Sequence, residues 1–415
     1  MAAKLLYVKI DGINVPIVFE EYKKLPLKHL ELVFRDSGFL ASKKGGLVSM
    51  SSKLLNEGSL KSGSEKFARE LEDRAITLSA GEGRETFVIN LEALKEEFDF
   101  GFNKLLELLE GPNYKEEVLS KIKRERIGEI ERKKGDFDYI AAINLRKILF
   151  KNTPLANPQI GTIEDIKSIT LDEIKNYLDS HLHLDNLIVV AGGDFSEDEL
   201  KELTKKIAKV LKRGEVPKIK HFDASDSMQE VKKFEDTKQA YIYFGAPYYM
   251  KVDSKDRVIG KVASFILGSS GFGSRLMEEI RVKRGLAYSA YSRFVVNKTH
   301  SYFSGYLQTK LKSQKEAIDV VKKVIADFVK NGVKEEELKD AKKFFLGSEP
   351  LRNETLAQRM MRAFHEYYEG LGIGYSKKEL ERIKNITLKE INEFIKQHPE
   401  ILKLSFSIVT SKDGK

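Results

Sequence analysis

The stretch SRLMEEIRVKRGLAYS, residues 274–289, joins a charged helical segment to a strand that continues as AYSRF. Arg281 and Tyr288 stand seven residues apart within it. On the residues alone, Arg281 reads as a helix-surface charge and Tyr288 as an aromatic of a strand core. Arg284, a nearer basic neighbour, reads as structural. Immediately before the stretch lie Gly268, Ser269, Ser270, Gly271, Phe272 and Gly273. Phosphate-cradling loops are also glycine-rich, but no Gly-Lys-Ser/Thr follows, which argues against nucleotide binding. The plain reading is a tight turn between two helices.

Working outward, the same order of elements occurs twice. KHLELVF at 28–34 matches QAYIYFG at 239–245, and the strand at 86–89 matches SYFSGYLQ at 301–308. An amphipathic helix follows each. Leu91, Leu94, Phe98, Phe102, Leu105 and Leu109 recur at helical spacing until Gly111-Pro112. Ala317, Val320, Val324 and Phe328 do so until Asn331-Gly332. Ser313 and Glu316 predict a capping box at the second helix start. YKEEVL at 114–119 and VKEEEL at 333–338 then repeat one another. LIVVAGGDF, 187–195, reads as a buried strand closed by a Gly-Gly turn. The expected fold is α+β: two homologous domains, each a mostly antiparallel sheet with helices packed on one face. The expected domains are 1–212 and 228–415, joined by the linker RGEVPKIKHFDASDS at 213–227.

Composition bounds the rest. At 415 residues the chain is too long for one ordinary core, and 41% hydrophobic content suffices for well-packed domains. No apolar run reaches the ~18–20 residues of a membrane helix. The N-terminus alternates like a strand and has no signal-peptide core, so the chain reads as cytoplasmic as written, or periplasmic if a leader has been removed. The absence of cysteine excludes disulfides and thiolate metal sites. The net charge of +9 is spread over interleaved Lys and Glu, as in EEVLSKIKRERIGEIERKKGD, a pattern of solvated helix faces rather than of a nucleic-acid patch. A modest positive field still favours acidic peptides or an acidic partner.

ASFILGSSGFGSRLMEEIRVKRGLAYSAYSRF, 263–294, resembles the second-half signature of the M16 metallopeptidases (pitrilysin, insulinase and mitochondrial processing peptidase), of the M16B type. Residues 67–91 and 150–200 are similar to further family segments, although Thr153 and Ala156 replace a His and a Gly usual in active members. The resemblance implies a LuxS/MPP-like metallohydrolase fold, with two similar halves enclosing an unfolded peptide. In the first half the family carries His-x-x-Glu-His. The matching stretch here is GGLVSMSSKLLNEGS, 45–59, with Ser49, Ser52 and Lys53 at those positions. The family's downstream Glu falls on Ile122, counting back from Glu129-Ile130; one helical turn on, Glu125 is the alternative, with no His pair to join. A zinc site needs three protein ligands and an open position, and Ser, Ser, Lys and Ile supply none. His181 with His183, and His365 with Glu366, lack a third ligand and read as ordinary surface or structural histidines.

The resemblance implies that Arg281 and Tyr288 are the family's Arg/Tyr pair: the arginine holds a backbone carbonyl of the substrate, and the tyrosine donates to the scissile carbonyl as charge develops. It also implies that the loop 268–273 captures substrate. The expected protein is a non-catalytic subunit with no cofactor of its own. It acts in trans with a homologous, HxxEH-bearing M16B subunit that carries the zinc, on an extended peptide added to a sheet edge. No nucleic-acid or membrane partner is expected, and a homodimer is compatible with such similar halves. The rival reading is a peptidase-like scaffold or peptide-binding protein without a proteolytic role.

Overall fold

Alternating strands bury one face each, and two sheets form accordingly, one in each of two units. The structure, a computed structural model, describes residues 3–412. The first unit comprises the chain up to Glu131, Pro158–Ile219 and Leu351–Gly374; the second comprises Arg132–Asn157, Lys220–Pro350 and the chain from Tyr375. The main passage between units, at Ile219–Lys220, falls inside the expected linker 213–227. The two compact units are not contiguous in sequence. Residues 132–157 of the first half belong to the second unit, and 351–374 of the second half belong to the first.

The first unit's sheet contains β1 (Lys4–Ile10), β2 (Ile13–Glu21), β3 (Leu27–Arg35), β4 (Thr77–Glu82), β5 (Thr86–Leu94) and β6 (Leu187–Gly193), in the order β1-β2-β6-β3-β5-β4. Only β2 and β6 run parallel. Ile17, Phe19, Leu30, Leu32, Phe87, Ile89 and Leu91 are all buried, as period-two alternation requires of one face. The other face carries Val18, Val33, Ile188 and Val190, which pack beneath Met360, Ala363 and Phe364 of helix Leu356–Tyr368. This crossed-over helix explains why every residue of β6 is buried: a strand covered on both faces reads as a continuous apolar run. It also explains Gly192, where an added Cβ would come within 2.0 Å of Met360 Sδ. Of the Gly-Gly pair read as a turn, Gly192 lies inside the strand, and only Gly193, at φ +112°, turns the chain.

The second unit repeats the design with β7 (Phe222–Asp223), β8 (Glu230–Phe234), β9 (Gln239–Pro247), β10 (Ala287–Val296), β11 (His300–Lys310) and β12 (Ser405–Thr410). The order is β10-β11-β9-β12-β8, with β7 beside β11; β7 runs parallel to β11 and β8 parallel to β12, and the other pairs are antiparallel. Ile242, Phe244, Phe303, Leu307 and Ile408 share a core with Val321, Ile325 and Phe328 of helix Gln314–Asn331. On the opposite face lies helix Phe137–Leu149, its Phe137 ring edge-on to Tyr241 at 5.5 Å. A Cβ on Gly245 would stand 2.8 Å from Leu149 Cδ1. Each sheet thus has a glycine where the helix from the other half lies down. The layered α+β class stands, with helices on both faces of each sheet.

Two local expectations change. Leu91 and Leu94 belong to β5, and the helix begins only at Phe98. The end of a period-two strand and the start of a 3.6-residue helix mimicked one continuous helical spacing. Ser313 makes no side-chain cap, because a 3₁₀ turn, Leu311–Ser313, feeds the helix directly. Among the described residues no helix is long and apolar enough to cross a membrane.

Candidate functional site

In the first unit, helix Leu47–Leu55 starts at Gly46, whose φ of +75° and close approach to Ile166 and Gly161 leave no room for a side chain. The helix buries Ser49 and Ser52 and leaves Lys53 half-buried. Ser52 Oγ donates to Glu82 Oε2 at 2.5 Å, at the end of β4. Gln159 Nε2 donates to Glu82 Oε1 at 3.2 Å. Ile122, on helix Glu116–Lys133, is buried at 1% exposure. One turn along, Arg126 is buried at 6% exposure and reaches back to the first helix. Its Nη2 donates to Ser49 Oγ at 2.5 Å and its Nη1 to Glu129 Oε2 at 2.9 Å, while its Nε is buried without a partner. Lys53 Nζ stands 3.8 Å from Glu125 and 4.0 Å from Glu129.

These groups do not fit zinc. Two hydroxyls, an ammonium and an alkyl side chain offer no imidazole or carboxylate; of the nearby carboxylates, Glu125 and Glu129 face cations and Glu82 accepts from Ser52 and Gln159. A divalent ion about 4 Å from the Arg126 guanidinium would meet roughly 8 kcal/mol of Coulomb repulsion at an effective dielectric near 20. Elsewhere, His181 Nδ1 lies 3.0 Å from the Tyr177 carbonyl, and burial pushes its pKa down. His183 Nε2 lies 2.7 Å from the Asp179 carbonyl. His365 lies against Phe364. Among the described residues no group of three His, Asp or Glu side chains is placed to hold a metal.

The second unit brings its two sequence-read residues together. Helix Arg257–Ser264 runs into a wide turn, Phe265–Ser269, closed by the Ser270 N–H donating to the Phe265 carbonyl at 3.3 Å. Gly268 passes so close to β10 that a Cβ would fall 2.1 Å from Ser292 Oγ. The loop then turns through Gly271 and Gly273, both at positive φ, and leaves Phe272 71% exposed. Buried Ser274 closes it, donating to the Gly271 carbonyl at 2.8 Å and accepting from the Met277 N–H at 3.3 Å. Arg275 anchors the next helix through two bonds to Glu337, at 2.6 and 2.7 Å. A second wide turn, Glu278–Val282, follows. Such five-residue turns insert an extra residue and swing the following side chains off the helical register, and they are frequent at functional sites.

Arg281 sits in that second turn. Its guanidinium carbon lies 4.7 Å from the Phe272 ring centre and 4.5 Å from that of Tyr288. It has no ion-pair partner among the described residues. The neighbouring Glu279 is taken by Lys283 and Arg284, each at 2.6 Å. Those hydrogen bonds, that from Lys283 foremost, hold the Glu279 carboxyl below its usual pKa. Arg284 is thereby structural. Tyr288 lies within an irregularity in the β10–β11 register, between Ala287 and Ala290, and is 81% exposed, so it is not a core aromatic. The strand carrying it, β10, is an edge of the sheet. The site is therefore a half-buried cation held against two exposed aromatic rings, its N–H donors unengaged among the described residues, beside an open strand edge. Two contributors escaped sequence reading: Arg126, and the stacking of Phe272 on Arg281.

The family described as Peptidase M16 inactive domain matches residues 168–345. The chain is 42% identical over 412 residues to the Non-peptidase homolog YmxG of Helicobacter pylori, covering 99% of this chain and 95% of that protein. The crystal structure of a peptidase M16 inactive domain from Pseudomonas fluorescens superimposes with a TM-score of 0.90 at 22% identity, covering 99% of this chain and 98% of the other. A chain of complex III2 from Candida albicans has the same fold, with a TM-score of 0.79 at 16% identity over 98% and 95% of the two chains.

Proposed function

Because the chain belongs to the peptidase M16 family, as a non-catalytic member whose own residues fit no zinc, we propose that it is the Arg/Tyr-bearing subunit of a two-chain M16B peptidase. The hydrolytic metal belongs to a homologous HxxEH-bearing partner. This chain contributes substrate binding and support of the developing charge. The observation that carries the reading is the contact of half-buried Arg281 with the exposed Tyr288 ring at 4.5 Å. A scaffold has no need of an unpaired arginine stacked on a solvent-facing tyrosine. Arg281 holds an oxygen of the bound chain, and the Tyr288 hydroxyl donates to the carbonyl oxygen that gains charge. The edge of β10 offers unpaired backbone groups with which an extended peptide can align. The loop 268–273 brings Phe272 beside both residues and gives the bound chain an apolar wall.

The test is zinc content and peptide hydrolysis by the purified chain, alone and mixed with an HxxEH-bearing M16 chain from the same genome. No zinc and no turnover alone, with turnover on mixing, is the expected result. Stoichiometric zinc with chelator-sensitive cleavage by the chain alone would overturn the assignment. The likeness to a protein described as a non-peptidase homologue and to a chain of a respiratory complex favours one alternative, a scaffold or peptide-binding protein without proteolytic role. Stable assembly with the partner but no turnover, whether Arg281 is present or replaced, would select it.

A further inference from the structure

We propose that Arg126 is a fixed cation that has taken the place of a metal in the first unit, tying helix Glu116–Lys133 to helix Leu47–Leu55 and closing the position to divalent ions. The proposal rests on the first unit alone and is independent of any partner subunit. Arg126 lies on the apolar face of its helix, with Val118, Leu119 and Ile122. A cation on that face is costly unless it does something there. Its two terminal nitrogens reach different elements, Ser49 on one helix and Glu129 on the other. A planar fork can do this and a lysine ammonium cannot do it as well. The buried, unpartnered Nε is a further cost that an apolar residue would avoid.

The tie extends further. Ser49 and Ser52 sit on one helix, Ser52 bonds Glu82, and Glu82 ends β4, an edge strand of the sheet. Arg126 is therefore linked, through the helix that carries the two serines, to the end of that edge strand. Glu125 and Glu129, the carboxylates that could recruit a metal, already face Lys53 and Arg126. The charge of the position is supplied from within, so replacing ligands alone does not recreate a metal site.

Two measurements test this on the full-length chain. The first is thermal melting of Arg126→Ala with and without millimolar ethylguanidinium, against sodium chloride at equal ionic strength. The expected result is a lowered melting temperature that ethylguanidinium largely restores in the variant and leaves unchanged in the wild type. An equal shift in both proteins, or no loss in the variant, overturns the proposal. The second is zinc titration calorimetry of Ser49→His/Ser52→Glu/Lys53→His/Ile122→Glu, with Arg126 kept or changed to Leu. Zinc should bind at least about 100-fold more weakly when Arg126 is kept, the direction set by repulsion between like charges at close range. Equal affinity in the two folded variants, or no binding by either, refutes exclusion by Arg126.

Discussion

Replacing Tyr288 by Phe separates catalytic support from everything else the residue does. The ring remains, and with it the 4.5 Å contact to Arg281. At 81% exposure the lost hydroxyl leaves no buried group unpaired. Stability should therefore stay within about 0.5 kcal/mol of wild type, the usual range for surface changes. Assembly with the zinc-bearing subunit should be unchanged by sedimentation. A donor aimed at a developing oxyanion contributes about 10²–10³-fold in rate, or roughly 2.7–4 kcal/mol. The expected outcome in the assembled enzyme is a loss of that size in kcat, with KM within about threefold. An interaction made only in the transition state has this signature, whereas uniform binding would raise KM at constant kcat. The assay is initial-rate hydrolysis of a quenched fluorescent peptide over a range of concentrations. Unchanged kcat, or a rise in KM alone, would refute transition-state support by Tyr288.

Two further predictions concern what holds the first unit together. Burial alone would raise the Glu107 pKa, but hydrogen bonds from Ser59, Ser62 and Lys104 outweigh it and pull it down to about 2. A depressed carboxyl stabilises above its unfolded pKa near 4.5 and loses that contribution as pH falls toward 2. Wild type should thus shed up to about 3 kcal/mol across that window, and denaturant melts of Glu107→Gln should lack this component; parallel pH curves for the two proteins would contradict it. Arg359 Nε bonds Glu20 at 2.8 Å, where Glu20 is nearly inaccessible, so Arg359→Met should cost about 3–5 kcal/mol in chemical denaturation. Adding Glu20→Leu should recover most of that loss, and no recovery would mean the helix is held by something other than this pair.

The strand pairs were legible because one-sided burial writes a period of two, and β3, β5, β9 and β11 fall where KHLELVF, its partner strand and their repeats stand. The crossing of helices between units was not. The stripe Met360, Ala363, Phe364 marks an apolar face, but nothing local says which sheet it covers. The nearest signals were Gly192 and Gly245, small residues in otherwise bulky strands, whose meaning depends on contacts far away in sequence. That Ser49, Ser52, Lys53 and Ile122 offer no imidazole or carboxylate was readable from the sequence. The replacement cation was not, because Arg126 stands in a run, KIKRERIGEIERKK, that reads as a solvated face. A helical projection would have placed it four residues after Ile122 on the buried side.

The two sites differ in how fully their polar groups are engaged, and that difference bears on where the protein would meet other molecules. At the degenerate zinc position, Ser49, Ser52, Lys53, Glu82 and Glu129 all face partners within the unit. Among the described residues only the buried Arg126 Nε is left without a partner there. Around Arg281 the reverse holds: Phe272, Val282 and Tyr288 are exposed, and the guanidinium has rings but no carboxylate. Exposed aromatic and arginine side chains set together are the composition of binding hot spots rather than of a stabilising surface. Substitutions in the first unit's position should therefore change stability and leave peptide contact intact, while substitutions around Arg281 should do the opposite.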